Sequence, residues 1–139
     1  MSVSRRFVDV AIGQELPELV VELTPTLIVA GAIASRDYQD VHHDLEEARA
    51  RGVPGIFMNI LTTNGFVGRF VTDWAGPDAA IRRIAIRLGV PNFAGDTMRM
   101  TGRVTSAVRH DGEGVVEVAV LGRNRLGEHV TGSVMVVLP

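Results

Sequence analysis

The chain has 139 residues, of which 46% are hydrophobic and 22% charged, enough apolar material for one domain with a real core and too much for a disordered chain. Net charge is −2 with both signs interspersed, which argues against a nucleic-acid protein held by a basic face. Cysteine is absent, so disulfides, thiolate catalysis and cysteine-held metal are excluded.

The opening Met1-Ser2-Val3-Ser4-Arg5-Arg6 is not followed by an apolar run of signal-peptide length. The longest apolar segment, Gly55 to Trp74, is interrupted by Asn59, Asn64, Arg69 and Asp73, so it does not read as a membrane span. The expectation is a cytoplasmic protein without a membrane or nucleic-acid partner. Residues 1–139 read as a single domain with no internal repeat or linker, and residues 1–14, polar and poorly patterned, as a loose arm. Leu16 to Leu23 contains Leu19-Val20-Val21, a short first strand. Thr24 suits an N-cap and Pro25 a first helical position, so the apolar, alanine-rich Thr26 to Ala34 reads as a short buried helix. Further on, Asp44 caps a second short helix, Leu45 to Arg51, whose charges read as a solvated face and which Gly52 ends.

Val53-Pro54-Gly55 is a turn. From about Phe57 to Trp74 runs the longest helical pattern, ~27 Å at ~1.5 Å per residue, ended by Gly76-Pro77. Ile60, Leu61, Phe66, Val67, Phe70, Val71 and Trp74 cover most of its circumference, which predicts a helix wrapped by other structure. Thr62, Thr63 and Asn64 within it are expected to bond to the preceding turn or a neighbouring strand, with pocket lining as the alternative. The pattern then changes to strand over Ile81 to Val90, Thr97 to Val108, Val115 to Leu121 and His129 to Leu138, with turns at Asp111-Gly112 and Gly127-Glu128. Four successive strands with short connections predict an antiparallel meander. The expected fold class is α+β, an antiparallel sheet curled around a long central helix.

The stretch Ser35 to Asp44 concentrates three Asp and two of the four His, groups suited to proton exchange. Asp37 and His42 are about 500° apart on a helix and on opposite faces of a strand. Only an irregular loop turns both into one pocket, and loops on a rigid scaffold are where chemistry tends to sit. The plainer alternative is a helix cap and a surface histidine. His43 reads as solvent-facing or structural, because chain neighbours seldom aim into one pocket, and Asp40 as a partner for His43 or Arg36. Asp37, Asp40, His42, His43 and Asp44 are metal-ligand types, yet no helical His-x-x-x-His spacing occurs and no metal is expected. Arg82, Arg83, Arg87, Arg123 and Arg125 are candidates to meet phosphates, although each alone reads as a solvated strand charge.

The layout and these residues resemble the MaoC-like (R)-specific enoyl-CoA hydratases, which have the hot-dog fold. Their loop signature is Ser/Gly-Asp-x-Asn-Pro-x-His. Asp37 falls on its Asp and His42 on its His, while Gln39 and Asp40 replace its Asn and Pro. A second family feature, an Asn-Gln-x-Gly-Glu-x-Val-x-x-Gly hairpin, is similar to residues Asn124 to Gly132. The runs Arg36 to Asp44, Asn59 to Thr62, Val71 to Pro77 and Arg87 to Pro91 resemble, more narrowly, the small MaoC-like subunit of actinobacterial steroid enoyl-CoA hydratases. The resemblance implies addition of water across the α,β double bond of a CoA thioester, here of a cholesterol-derived steroid side chain. It implies Asp37 and His42 as catalytic residues and the backbone N–H of Asn59, aligned with a family glycine, as an oxyanion donor. It implies an acyl-CoA substrate with no separate cofactor, since CoA belongs to the substrate. The partner implied is a second MaoC-like subunit in a hetero-oligomer, or a second copy in a homodimer. Three alternatives stay open: a homodimeric (R)-specific hydratase of short linear enoyl-CoA, a hot-dog thioesterase, and a non-catalytic hot-dog subunit.

Overall fold

A computed structural model of the chain describes residues 3–139. In chain order it holds strand β1 (Leu19–Glu22), helix α1 (Pro25–Ala34), a one-turn 3-10 helix (Asp40–His42), helix α2 (Leu45–Ala50), the long helix α3 (Ile60–Ala75), and strands β2 (Ala80–Leu88), β3 (Thr97–His110), β4 (Glu113–Asn124) and β5 (Gly127–Leu138). All five strands form one antiparallel sheet in the order β1-β3-β4-β5-β2, and α3 packs against it, as the α+β hot-dog expectation requires. The core lies between them, where Val67, Phe70 and Val71 of α3 meet Met98, Met100, Val104, Val116, Val118, Val134 and Val136 of the sheet.

The helix starts follow the capping chemistry. Thr24 Oγ1 accepts the Leu27 N–H at 3.1 Å with Pro25 in the first turn, and Asp44 Oδ1 accepts from the N–H groups of Glu46 and Glu47. Helix α3 starts later than Phe57. Asn59 is its N-cap, with Oδ1 accepting the Thr62 N–H at 3.2 Å, while Phe57 forms an isolated β-bridge with Phe93. Hydrophobicity runs on through Phe57 and Met58, but a side chain that bonds its own backbone favours a cap over a helix interior.

The expected four-strand meander is only half right. β3, β4 and β5 form it, whereas β2 pairs with the far edge of β5, from Ala80 opposite Val137 to Leu88 opposite Val130. The connection from β2 to β3, residues 89–96, must therefore cross the end of the sheet. It is tied there to the approach of α3, with the Met58 N–H bonded to Asn92 O at 3.0 Å and the Ala94 N–H to Ile56 O at 3.1 Å.

Neither α1 nor α3 is enclosed all round, contrary to expectation. α1 buries Ile28 and Ala32 and leaves Ile33 49% exposed, and Ile60 and Leu61 at the start of α3 are 51% and 52% exposed. One sheet covers only one side of a helix, so the remaining apolar side chains face outward. The arm is not loose either. Arg5, Phe7 and Gly13 donate their N–H groups to Ala75 O, Pro139 O and Val104 O at 2.8–2.9 Å, and the Arg5 guanidinium stacks on Trp74. Residues 1–2 of that arm lie outside the described residues.

The β2–β5 contact is close enough to test. A Cβ on Gly132 would lie 2.1 Å from Ala85 O and 2.9 Å from Ile86 Cα. Gly132→Ala is expected to push β2 off β5 and lower stability by about 1–3 kcal/mol, read as a fall in the urea midpoint. A midpoint equal to that of the unaltered chain would refute this pairing.

Candidate active site

Helix α1 ends at Ser35, whose hydroxyl donates back to Gly31 O at 2.7 Å. Arg36 then takes a left-handed φ of 57°, uncommon for a residue with a side chain, and turns the chain sharply. The Asp37 N–H returns to Ala32 O at 2.9 Å. That turn, followed by the 3-10 helix Asp40–His42, is the irregular loop expected from the spacing. It brings His42 Nε2 to 3.4 Å from Asp37 Oδ2, with the imidazole buried and the carboxylate mostly so.

The histidine ring is held from its other side. Nδ1 lies 2.7 Å from Phe57 O, and the ring packs edge-on against the Phe57 ring. A carbonyl oxygen only accepts, so Nδ1 carries the hydrogen and the neutral ring presents a bare Nε2 lone pair. That lone pair faces a carboxylate, another acceptor. The two groups are thus arranged to share one donor, such as a water molecule giving one hydrogen to each.

Asn59 borders the same place. It is 2% exposed, and its amide nitrogen donates to Ser35 Oγ at 2.8 Å and to Asp37 Oδ2 at 3.1 Å. Its backbone N–H meets no protein acceptor among the described residues. Together Asp37, Gln39, His42, Asn59, Val90 and His129 line a cleft of about 340 Å³. A second, almost wholly apolar groove of about 360 Å³ runs between α1 and α3, beginning at Ser35 and lined by Leu27, Gly31, Ala34, Leu61 and Phe66.

The remaining candidates lie elsewhere. Asp40 accepts from Arg51 at 2.9 Å and stands 4.0 Å from His43, which is partly exposed and outside the cleft lining. Arg82, Arg83, Arg123 and Arg125 pair with Glu113, Glu117, Glu128 and Asp96 on the surface, whereas Arg87 has no ion pair among the described residues. Among the described residues no group of three or more His, Asp or Glu is placed to hold a metal, and no helix is long and apolar enough to cross a membrane.

His129 is the residue that sequence reasoning missed. It is 2% exposed, with Nδ1 2.7 Å from Val90 O and Nε2 2.8 Å from Thr63 Oγ1. By the same tautomer argument Nδ1–H donates to Val90, and Nε2 accepts the Thr63 hydroxyl. Thr63 thus bonds to a neighbouring strand, as expected. The reason for the oversight is a β-bulge. Gly122 faces Val130 and Arg123 faces Glu128, so His129 is the extra residue on β5 and turns inward beside Val130. Bulges re-aim side chains near functional sites, and strict alternation gives no warning of one.

Residues 8–124 match the model of the MaoC like domain family. The chain is 52% identical over 123 residues, 88% of its length and 92% of the other, to the 3-oxo-4,17-pregnadiene-20-carboxyl-CoA hydratase beta subunit of Mycobacterium tuberculosis. Among solved structures it is similar to a chain of the ChsH1-ChsH2 complex from the same organism, with TM-score 0.87, 50% identity, and coverage of 93% of this chain and 98% of that one. The R-hydratase PhaJ1 from Pseudomonas aeruginosa shares the fold, with TM-score 0.88 at 17% identity over 98% of this chain and 86% of that one.

Burial pushes the His129 pKa below its ordinary value of 6.5, opposed in part by the bond to Val90. The unfolded chain therefore binds more protons below about pH 6.5. The stability due to the neutral ring is complete above that pH and is lost as pH falls through the lower folded value. His129→Gln is expected to flatten the fall in unfolding free energy from about pH 7 to about pH 5, measured by urea titration at each pH. An unchanged slope would contradict this.

Proposed function

The chain belongs to the MaoC-like domain family, and on that premise we propose that it is the catalytic subunit of an enoyl-CoA hydratase acting on the CoA thioester of a steroid side chain. The observation that carries the reading is the bare Nε2 of His42 facing the Asp37 carboxylate at 3.4 Å inside a cleft bordered by the unpartnered Asn59 N–H.

The chemistry follows from that arrangement. A water that donates one hydrogen to Nε2 and the other to Asp37 keeps its oxygen lone pairs free to attack. As that oxygen bonds to the β carbon, Nε2 takes the proton and the π electrons move toward the α carbon and the thioester oxygen. The imidazolium, steadied by the charge on Asp37, returns the proton to the α carbon. One water is added and both side chains end as they began. The charge gathering on the thioester oxygen is met by the Asn59 N–H at the start of α3, where the helix dipole favours an anion. CoA is part of the substrate, and no other cofactor enters this scheme.

The steroid assignment is supported by the relative named as a pregnadiene-carboxyl-CoA hydratase subunit and by the apolar groove between α1 and α3, which suits a bulky apolar acyl group. A second MaoC-like subunit as partner is supported by the two-chain complex that contains a similar chain. The half-exposed Ile33, Ile60 and Leu61 are the kind of apolar surface that an assembly covers. A cytoplasmic location accords with a substrate carried on CoA.

The test is an assay of the chain, alone and with a partner subunit, on crotonyl-CoA and on a steroid enoyl-CoA, following enoyl absorbance and free thiol. Loss of enoyl absorbance on the steroid substrate without thiol release is expected. Asp37→Asn and His42→Gln should each cut the rate by about 10²–10⁴ while leaving the thermal transition in place. Thiol release would favour a thioesterase, and near-normal hydration by both variants would end the assignment of the pair.

A further inference from the structure

The proposed reaction needs the Asp37 side chain aimed at a shared water, and the carboxamide of Asn59 is the group built to hold it there. We infer that Asn59 is a positioning residue whose side chain, not only its backbone, serves the site by fixing the orientation of Asp37. For its catalytic consequence the inference rests on the hydratase reading.

The argument begins with which end of the amide is which. One end faces the Thr62 backbone N–H at 3.2 Å and the Thr62 hydroxyl. A backbone N–H only donates, so that end must be the oxygen, and the NH2 must be the end facing Ser35 and Asp37. Reversing it would set an NH2 group against an N–H. The two NH2 hydrogens then have distinct uses. One goes to Ser35 Oγ at 2.8 Å, a hydroxyl already committed as donor to Gly31 O, and the other to Asp37 Oδ2 at 3.1 Å. Every polar position of this buried amide is thereby occupied, and its orientation leaves no second choice.

A donor locked onto Asp37 Oδ2 fixes the direction in which that side chain points. His42 is the basic group within 4 Å of Asp37 among the described residues. Asp40, on the neighbouring 3-10 turn, is turned to Arg51, and His129 of β5, across the cleft, is spent on Thr63 and Val90. The Gln39 N–H reaches Asp37 Oδ1 only at 3.4 Å. At 3.1 Å the Asn59 amide is thus the closest donor to the Asp37 side chain, nearer than His42 Nε2 at 3.4 Å. Because the same side chain caps α3, the helix start and the catalytic carboxylate share one anchor.

Two substitutions separate anchor from cap. Asn59→Ser and Asn59→Asp both keep an oxygen able to cap α3, and both lose the NH2 group that reaches Asp37. The Asp37 13Cγ chemical shift is read at pH 7 with only this chain labelled in the assembled protein, alongside kcat and KM. The Ser variant is expected to keep its thermal transition, to move the Asp37 13Cγ resonance, and to lower kcat about tenfold with little change in KM. The Asp variant, which sets a carboxylate against Asp37 in place of a donor, is expected to move the resonance further and to lower kcat more. A resonance unmoved in both variants overturns the inference whether or not the protein turns over substrate. Failure of the unaltered protein to hydrate any enoyl-CoA would count against the hydratase reading alone, since the resonance still reports on Asn59 and Asp37.

Discussion

A loop without repeating structure cannot hold two side chains in register by itself, and here the hydrogen bond from His42 to the carbonyl of Phe57 supplies the constraint. It sets the ring's orientation and its tautomer at once. The carbonyl can serve this way because its own segment is fixed: the Phe57 N–H bonds to Val41 O, Phe57 bridges to Phe93, and Met58 is bonded to Asn92. Asn59, next in the chain, reaches back to Ser35 and Asp37. Three stretches remote in sequence, residues 35–43, 56–59 and 89–96, are thereby cross-braced around the Asp37–His42 pair. A long-range brace of this kind holds the two side chains 3.4 Å apart although each comes from an irregular stretch.

The sheet order explains why the third stretch is available. Because β2 joins the sheet beyond β5, the chain must travel back across the end of the sheet to begin β3, and it passes over the cleft in doing so. The same excursion delivers the Val90 carbonyl that orients His129. It also leaves β2 as an edge strand with one side unpaired, on the same chain as the uncovered apolar residues of α1 and α3. An unpaired edge and an open apolar helix face are both features that a second hot-dog subunit can cover. Pairing and site formation are therefore aspects of one architecture.

Much of this was readable from the residues, and the misses have physical causes. The caps at Thr24 and Asp44 and the strands β1, β3, β4 and β5 are local, and local chemistry shows in sequence. The density of titratable groups marks the Asp/His loop, while the roles proposed for Asp37 and His42 rest on family resemblance. The hydrogen bonds of the Asn59 side chain leave no local sign in the sequence, because its partners lie 22 and 24 residues earlier. The β2 crossover depends on which strand edge is free, a property of the whole sheet. The inward turn of His129 depends on a bulge in the β4–β5 pairing. The docked arm depends on a stacking partner, Trp74, at the far end of α3. None of these leaves a periodic trace.

The most direct test of the account is a crystal structure of the chain in its working assembly with a saturated acyl-CoA bound, a ligand that fills the site and cannot be hydrated. The account predicts the thioester oxygen within hydrogen-bond distance of the Asn59 N–H. It also predicts an ordered water between His42 Nε2 and Asp37, facing the β carbon. A thioester seated away from Asn59, or a β carbon on the far side of α3 from the Asp37–His42 pair, would contradict it.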